Sequence, residues 1–372
     1  MQLSQQQIDF CMECGVCTGS CPVSMTLEGF SPRQMIKRTM ADPEGDILES
    51  KDLWACLSCS RCSDRCPVKI DFPAFIRTFR EKAVEKGNTP RLSHHGMFQT
   101  ISSIQAAGTV QNRIQWAKEA GQIAETGDYF YFTGCIPYYD VAFKYLDLQM
   151  IDHAKNIVRI LNRMGIEPVV SNDECCCGHD AWWNGDETTF SNLAGQNMKT
   201  IKQSGAKTVI FGCPEGYSVF REGYAQMFGE LEFEIIHITE FLARELPESG
   251  LAFKPESTDE TITFQDPCRL GRRSGIYEAP RELIRKVSNG HYKDMAHNRE
   301  NAICCGTTAW MECSACSKAM QIQRLEEASQ IGADTIVTAC PKCQIHLTCT
   351  KKNTNQDIRV VDLMSYIVDH LE

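Results

Sequence analysis

The sequence predicts a mixed fold, a mostly α-helical N-terminal domain followed by a duplicated α/β unit. Three observations predict it. Two cysteine runs of identical spacing stand near the N-terminus with helix-forming segments between and after them. Downstream, three cysteine motifs each occur twice, at separations of 133, 128 and 127 residues. Between those motifs, short apolar runs suited to buried strands alternate with longer amphipathic stretches suited to helices.

Composition narrows the class. A chain of 372 residues is long enough for two or three domains at ~100–200 residues each. Hydrophobic residues make up 42 % and charged residues 23 %, which supports a sizeable core and argues against wholesale disorder. Lys+Arg number 38 against 48 Asp+Glu, a formal net charge of −10. Nucleic acid and anionic membrane surfaces both need a cationic face, so no nucleic-acid partner is expected. No apolar stretch approaches the ~20 residues that span a bilayer. The start MQLSQQQIDFC lacks the basic and apolar segments of a secretory signal, so a cytoplasmic protein is expected. Cysteine is the outlier, at 21 residues. In a long chain without a signal, cysteines grouped as CxxC and CC point to metal binding rather than disulfides.

Cys11, Cys14, Cys17 and Cys21, followed by Pro22, read C-x2-C-x2-C-x3-C-P, and Cys56, Cys59, Cys62 and Cys66, followed by Pro67, repeat it. This is the spacing of bacterial two-cluster ferredoxins, whose fourth cysteine completes the other cluster. One cubane [4Fe–4S] cluster is therefore expected on Cys11, Cys14, Cys17 and Cys66, and a second on Cys56, Cys59, Cys62 and Cys21. Small residues between them (Gly15, Ser58, Ser60) let backbone N–H groups approach the cluster sulfides. Zinc is the bland alternative, and the doubled run with its prolines disfavours it. Ser31-Pro32 opens a helix, with Ser31 as N-cap. A second runs from about Asp71 to Lys86 and ends at Gly87-Asn88-Thr89-Pro90. The first domain is thus expected over residues 1–95, with a helical connection over 96–127.

The remainder reads as one module twice, over residues 128–248 and 261–372, with a Pro-, Ser- and acid-rich linker over 249–260. YFTGC, ending at Cys135, is answered by TFQDPC, ending at Cys268. The pair Cys176-Cys177 is answered by Cys304-Cys305, and TVIFGCPEG with Cys213 by TIVTACPKC with Cys340 and Cys343. FEIIHITEFLARELP is answered by IRVVDLMSYIVDHL. Strands are expected at Tyr129–Thr133, Thr208–Phe211, Thr261–Phe264 and Thr335–Thr338. They should be parallel with helices outside, and the cysteines should lie just past the strand ends, where open α/β sheets place ligands. The second module offers five thiols, more than a single zinc ion or cubane uses. The first offers Cys135, Cys176, Cys177 and Cys213, because Gly216 stands where Cys343 would match.

The pattern C…CCG…CxxC, twice, behind two ferredoxin runs resembles the heterodisulfide reductase family. It is similar to the D-type polypeptide of that family, a fusion of a C-like two-cluster ferredoxin with B-like duplicated CCG modules. DPC at Cys268, Ala279-Pro280-Arg281 and TACPKC carry the resemblance, which covers nearly the whole chain. It implies that Cys268, Cys304, Cys305, Cys340 and Cys343 bind a non-cubane [4Fe–4S] cluster. For the first module it leaves open a four-thiolate cubane, an altered cluster or none. The implied function is that of an iron–sulfur electron-transfer component in an anaerobic complex. Single electrons would pass through two cubanes to the non-cubane cluster of the second module, where a disulfide could be reduced. The alternatives are a relay with no substrate of its own, as in benzoyl-CoA-reductase-type or flavoprotein-linked complexes, and the iron–sulfur component of a glycolate or glycerol-3-phosphate dehydrogenase. The implied partners are a flavin-containing protein, such as the A-type polypeptide of heterodisulfide reductase, and a membrane-associated protein through which the chain would sit on the inner face of the membrane.

Four cysteines remain, Cys175, Cys313, Cys316 and Cys349. They are read as buried or incidental thiols, with Cys175 poorly placed to serve as a fifth ligand because adjacent side chains in an extended turn point apart. His179 and His346 follow the cysteine motifs and are weighed as proton donors against structural histidines. Lys342 is weighed as a partner for an anionic thiolate against a solvated lysine. Arg269 occupies a position where the family often has histidine. Trp182, Trp183 and Trp310 are expected to exclude water. No glycine-rich nucleotide fingerprint or phosphate loop is found, so electrons should enter and leave through partner proteins.

Overall fold

A computed structural model describes residues 8–42, 45–255 and 259–372. The N-terminal start, part of the Ser31 helix segment's tail and part of the predicted linker lie outside the described residues. The fold class is as the sequence predicts.

The N-terminal region is helical. α1 (Pro32–Ala41) starts as expected, with the Ser31 side chain accepting from the Gln34 N–H at 3.2 Å. α2 (Phe72–Glu85) is capped by Asp71, which accepts from the Ala74 N–H. Phe72, Phe75, Ile76 and Phe79 form its buried face. The connection is less helical than expected. α3 (Met97–Ala106) is regular, but beyond it only Ala117–Ala120 is a helix before the first strand. Gly108, the strand-prone Thr109-Val110 and the side-chain bonds that Asn172 makes to the Arg113 and Ile114 N–H groups hold this segment irregular.

Two three-stranded parallel sheets follow. The first pairs β1 (Tyr129–Phe132), β2 (Thr208–Phe211) and β3 (Glu234–His237) in that order, and the second pairs β4 (Ile262–Gln265), β5 (Thr335–Thr338) and β6 (Arg359–Asp362). The third strand of each comes from the matched segments FEIIH and IRVVD. β2 and β5 are buried along their whole length, as central strands between helical layers must be. The crossover α4 (Met150–Arg163) packs Ile157, Val158, Ile160 and Leu161 inward, each fully buried. Cys135, Cys213, Cys268 and Cys340 all follow the C-terminal ends of strands, where loops of a parallel sheet converge.

Candidate metal centres

Each ferredoxin-type run wraps its cysteines by the same backbone device. Glu13 and Gly15 in the first run, and Ser58 and Ser60 in the second, adopt left-handed φ angles of 48°, 78°, 49° and 64°. Such alternation curls successive N–H groups toward one side, an anion-favouring concavity. The Ser58 N–H already donates to the Cys56 thiol at 3.4 Å. Cys11, Cys14, Cys17 and Cys66 line a single cavity together with Cys62. Burial pushes the Cys21 thiol up to about 12, and the neighbouring thiols of Cys59 and Cys56 push the same way. The fourth cysteine of each run thus lies with the other run. Cys17 in turn acts on the buried Cys62, so the two sets adjoin.

The CCG turns explain their own glycine. Gly178 and Gly306 have φ of 80° and 85°. A Cβ at Gly178 would stand 2.8 Å from the Phe190 ring, and one at Gly306 2.6 Å from the Ser317 carbonyl oxygen. In the second module, hydrogen-bonded thiols connect Cys268 to Cys304, Cys304 to Cys305, Cys305 to Cys343 and Cys343 to Cys340. Donation from Cys304 and Cys343 brings Cys305 down to about 6 despite its burial. In the first module, Cys135 Sγ is 3.5 Å from Cys176 Sγ, and Cys176 bonds Cys177. These three and Cys213 line one cavity with Gly216. A Cβ at Gly216 would lie 3.8 Å from the Cys177 Cβ, so this is the place of the missing fifth thiol. Cys175 turns away and donates to Asn197 Oδ1 at 3.3 Å. Cys316 pairs with Thr26 at 2.7 Å, and Cys349 accepts from Lys318 at 3.4 Å, apart from the four sets. Cys175 is buried, Cys316 and Cys349 are half-buried and Cys313 is exposed.

The four sets follow one another in space. Cys59 of the second run lies near enough to act on Cys304 of the second module. Burial raises the Cys213 thiol of the first module, and Cys340 of the second adds to the effect. Three arginines just after Cys268 fix the first junction. Arg269 donates to the Ser58 carbonyl, Arg272 to the Cys59 carbonyl at 2.7 Å, and Arg273 to the Ser60 hydroxyl at 3.1 Å. Arg80, fully buried, donates to the Cys56 carbonyl at 2.6 Å and the Trp183 carbonyl at 3.0 Å.

Between the modules lies a dry ionic cluster that sequence reasoning did not assemble. Lys342 is not solvated, and its charge acts on the Cys135 thiol in the direction that favours the thiolate. Its ammonium sits 2.5 Å from Asp180 and 2.7 Å from Glu215, and it is buried. His179 Nε2 accepts from Arg269 Nε at 3.1 Å, while Nδ1 faces Asp180 at 3.0 Å. Burial lowers its pKa, so it is a neutral structural residue whose Nδ1–H donates to the carboxylate. His179, Asp180 and Glu215 would suit a metal ion by spacing, but the Lys342 ammonium already holds that position. His346 bonds Thr307, and burial keeps it neutral. Trp182, Trp183 and Trp310 are all buried, and each carries a cation, Trp182 with the Arg77 guanidinium at 3.5 Å. Trp183 lies under Arg269 at 4.3 Å, and Trp310 stacks on Phe98 at 4.4 Å with the Lys342 ammonium 5.2 Å from its centre.

Comparison with known proteins agrees with this geometry. Residues 7–70 match the 4Fe-4S dicluster domain family, and residues 129–221 and 262–348 match the cysteine-rich domain family CCG. The chain is a 4Fe-4S dicluster domain fused to two CCG domains, and it is similar to heterodisulfide reductase D-type iron–sulfur proteins. It is 28 % identical over 401 residues to the D-type polypeptide of the dihydromethanophenazine:CoB–CoM heterodisulfide reductase of Methanosarcina acetivorans, covering 98 % of this chain and 94 % of that one. It is 24 % identical to the B-type polypeptide of the fumarate reductase (CoM/CoB) of Methanothermobacter marburgensis, over 96 % of this chain and 71 % of that one. It is 30 % identical to the EtfAB:quinone oxidoreductase of Syntrophomonas wolfei over 62 % of this chain, but spans only 34 % of that protein. The fold is shared with a hypothetical protein of Helicobacter pylori, at a TM-score of 0.56 and 13 % identity, over 91 % of this chain and 66 % of that one. Iron–sulfur electron transfer is the role these domains share. Among the described residues, no helix is long and apolar enough to cross a membrane.

Proposed function

We propose that this chain is the electron-carrying component of a heterodisulfide-reductase-like complex and that its four thiol sets form one route. The order runs from the N-terminal set through the second set and the second CCG module to the first. What supports it is the succession of neighbours, Cys17 beside Cys62, Cys59 beside Cys304, and Cys340 beside Cys213. Cys11, Cys14, Cys17 and Cys66 would hold one cubane, and Cys21, Cys56, Cys59 and Cys62 the other. The five thiols of the second module would hold a non-cubane cluster, and the four of the first a four-thiolate one. Iron–sulfur clusters so held supply one-electron redox chemistry. The chain's own residues do the rest. Arg269, Arg272 and Arg273 fix the spacing of dicluster domain and module, the buried tryptophans exclude water, and the Lys342 cluster locks the modules together.

The partner-facing end is the N-terminal set. Cys14 is exposed, and Met12, which lines the same cavity, is 68 % exposed. A flavoprotein docking there would reach the route at its only exposed cluster cysteine among the described residues. A second reading, disulfide reduction at the second module, is favoured by its five-thiol set. Gly216 and the filled junction between the modules favour the relay. Anaerobically purified protein should contain about 16 iron per chain, four for each set. Iron near eight per chain would overturn cluster binding by the CCG modules, and turnover of a thiol disulfide that vanishes in Cys305→Ala would overturn the relay in favour of the second reading.

A further inference from the structure

The second ferredoxin-type run carries an arginine that the polypeptide leaves unmatched. Arg61 stands between Cys59 and Cys62 in the sequence, opens the short helix Arg61–Asp64 and is 5 % exposed. Its Nε and Nη1 have no hydrogen-bond partner among the described residues. The charges that act on it are those of Arg65 and Arg272, which repel it, and the thiols of Cys59 and Cys21. Arg272 repeats the pattern at the junction with the second module. Its Nη2 is buried without a partner among the described residues, and the thiols of Cys59, Cys268 and Cys304 act on it. Burying guanidinium donors without an acceptor is costly, and more so beside a second cation, so this pair calls for an anion that the polypeptide does not supply. Arg80 gives the contrast. It is fully buried too, yet the carbonyls of Leu53, Cys56 and Trp183 take its donors.

We propose that Arg61, with Arg272 beside it, donates to the sulfur of the cluster held by Cys21, Cys56, Cys59 and Cys62 and makes that cluster the better electron acceptor of the two in the dicluster domain. This rests on the electron-carrying reading above.

A thiolate-bound cluster is an anion whose charge grows on reduction, so a fixed cation stabilises the reduced state more than the oxidised one. The two runs differ in such cations. At the first run, α1 supplies Arg33, which lines the cavity of Cys11, Cys14, Cys17 and Cys66. It is half-buried, its Nε is unpartnered, and its Nη1 donates to the Glu13 carbonyl at 3.3 Å. Lys37 is exposed and pairs with the Glu13 carboxylate at 3.3 Å. At the second run, the buried Arg80 and Arg269 add their charges to those of Arg61 and Arg272, since both act on Cys56. Two carboxylates, Glu222 and Asp71, hold the nearby Arg273, and the exposed Asp64 acts on Arg272. Water screens exposed charges far more than buried ones, so the balance favours the second run. An electron given up by a reduced partner at the exposed end therefore falls to the second run and stands beside Cys304 of the second module. No bond is made or broken and no proton moves.

The test is an anaerobic potentiometric titration of the holoprotein followed by paramagnetic resonance. Arg61→Gln, which keeps a polar side chain and removes the charge, should lower one reduction step by about tenfold or more in the ratio of reduced to oxidised cluster, a shift of about 59 mV for one electron. Arg61→Lys keeps the charge and should lower the same step by less than half as much. Arg65→Gln, at an exposed arginine that ends the same helix, should leave every step within about threefold. The double variant Cys11→Ala, Cys14→Ala removes two thiols of the first run and should abolish a step that lies below the one Arg61 governs. An unmoved step in Arg61→Gln, an equal shift in Arg61→Lys or Arg65→Gln, or a moved step that lies below the one lost with Cys11 and Cys14 would each overturn the proposal. If Arg61→Gln fails to hold iron, Arg272→Gln takes its place and should lower the same step, with the same results overturning it. Iron content of the same samples separates this from failure of the electron-carrying reading. Full iron with no shift overturns the role of Arg61 alone, and an iron-free parent overturns the reading beneath it.

Discussion

Lys342→Met is the sharpest test of how the two CCG modules are joined. The ammonium stands 2.5 and 2.7 Å from two carboxylates and is all but inaccessible to water. With an effective dielectric of ~20, each contact is a gross attraction of about 6 kcal/mol, most of it offset by stripping water from three charges. The substitution leaves Asp180 and Glu215 buried without their cation, and breaking such a pair costs about 3–5 kcal/mol. In a chain of this size, that lowers the unfolding midpoint by roughly 4–6 °C. The assay is anaerobic differential scanning of the holoprotein, following the transition that reports the CCG modules. The triple variant Lys342→Met, Asp180→Asn, Glu215→Gln carries no orphaned charge and should recover more than half of the loss. A midpoint change under about 1 °C in the single variant, or a triple variant no better than the single, would refute the claim that this cluster is dry and paired.

Other consequences follow from the thiol geometry. Cys175→Ala should keep full iron, because its thiol is turned toward Asn197, whereas Cys176→Ala should lose about four iron per chain by colorimetric assay. Gly216→Cys places a fifth thiol beside Cys177 at the cost of a small shift of Phe211, whose ring carbon lies 3.2 Å from the new Cβ. It should change the paramagnetic resonance of the first module and leave the signals of the dicluster domain unaltered. Arg272→Met removes the bonds to the Cys59 and Ala302 carbonyls. Hydrogen exchange over residues 56–62 should speed up at least tenfold with the iron count unchanged, and unaltered protection there would mean that the arginines do not hold the junction.

The cysteine spacing made most of the fold and the grouping of the sites legible. The repeat gave the two sheets, and CCG gave turns that only a glycine can complete. Less legible was anything that depends on which surfaces meet. Lys342 reads as an ordinary solvated lysine until Asp180 and Glu215, more than 100 residues upstream, are brought against it. His179 reads as a candidate proton donor until Arg269, 90 residues downstream, is found donating to its ring nitrogen. The connection over 96–127 is less helical than its polar, mixed sequence suggests, because tertiary bonds from Asn172 override helix propensity there. The one available signal was charge contrast between the repeats. RLGRR follows Cys268 where IPYYD follows Cys135.

That contrast accounts for the asymmetry of a duplicated protein. The dicluster domain meets both copies of the module but through different groups, Arg80 reaching the Trp183 carbonyl of the first and the loop after Cys268 reaching residues 58–60 from the second. The backbone carbonyls of residues 58 and 59 and the hydroxyl of Ser60 are acceptors, so they favour the copy that carries donors. Arg269, Arg272 and Arg273 are such donors, and Ile136, Pro137 and Tyr138 are not. The same sequence difference therefore ties the second module, with its complete thiol set, to the dicluster domain. Exchanging the loops, with RLGRR after Cys135 and IPYYD after Cys268, should release the dicluster domain from the second module, read as faster hydrogen exchange over residues 56–62. Survival of that junction in the exchange would show that the asymmetry arises elsewhere in the fold.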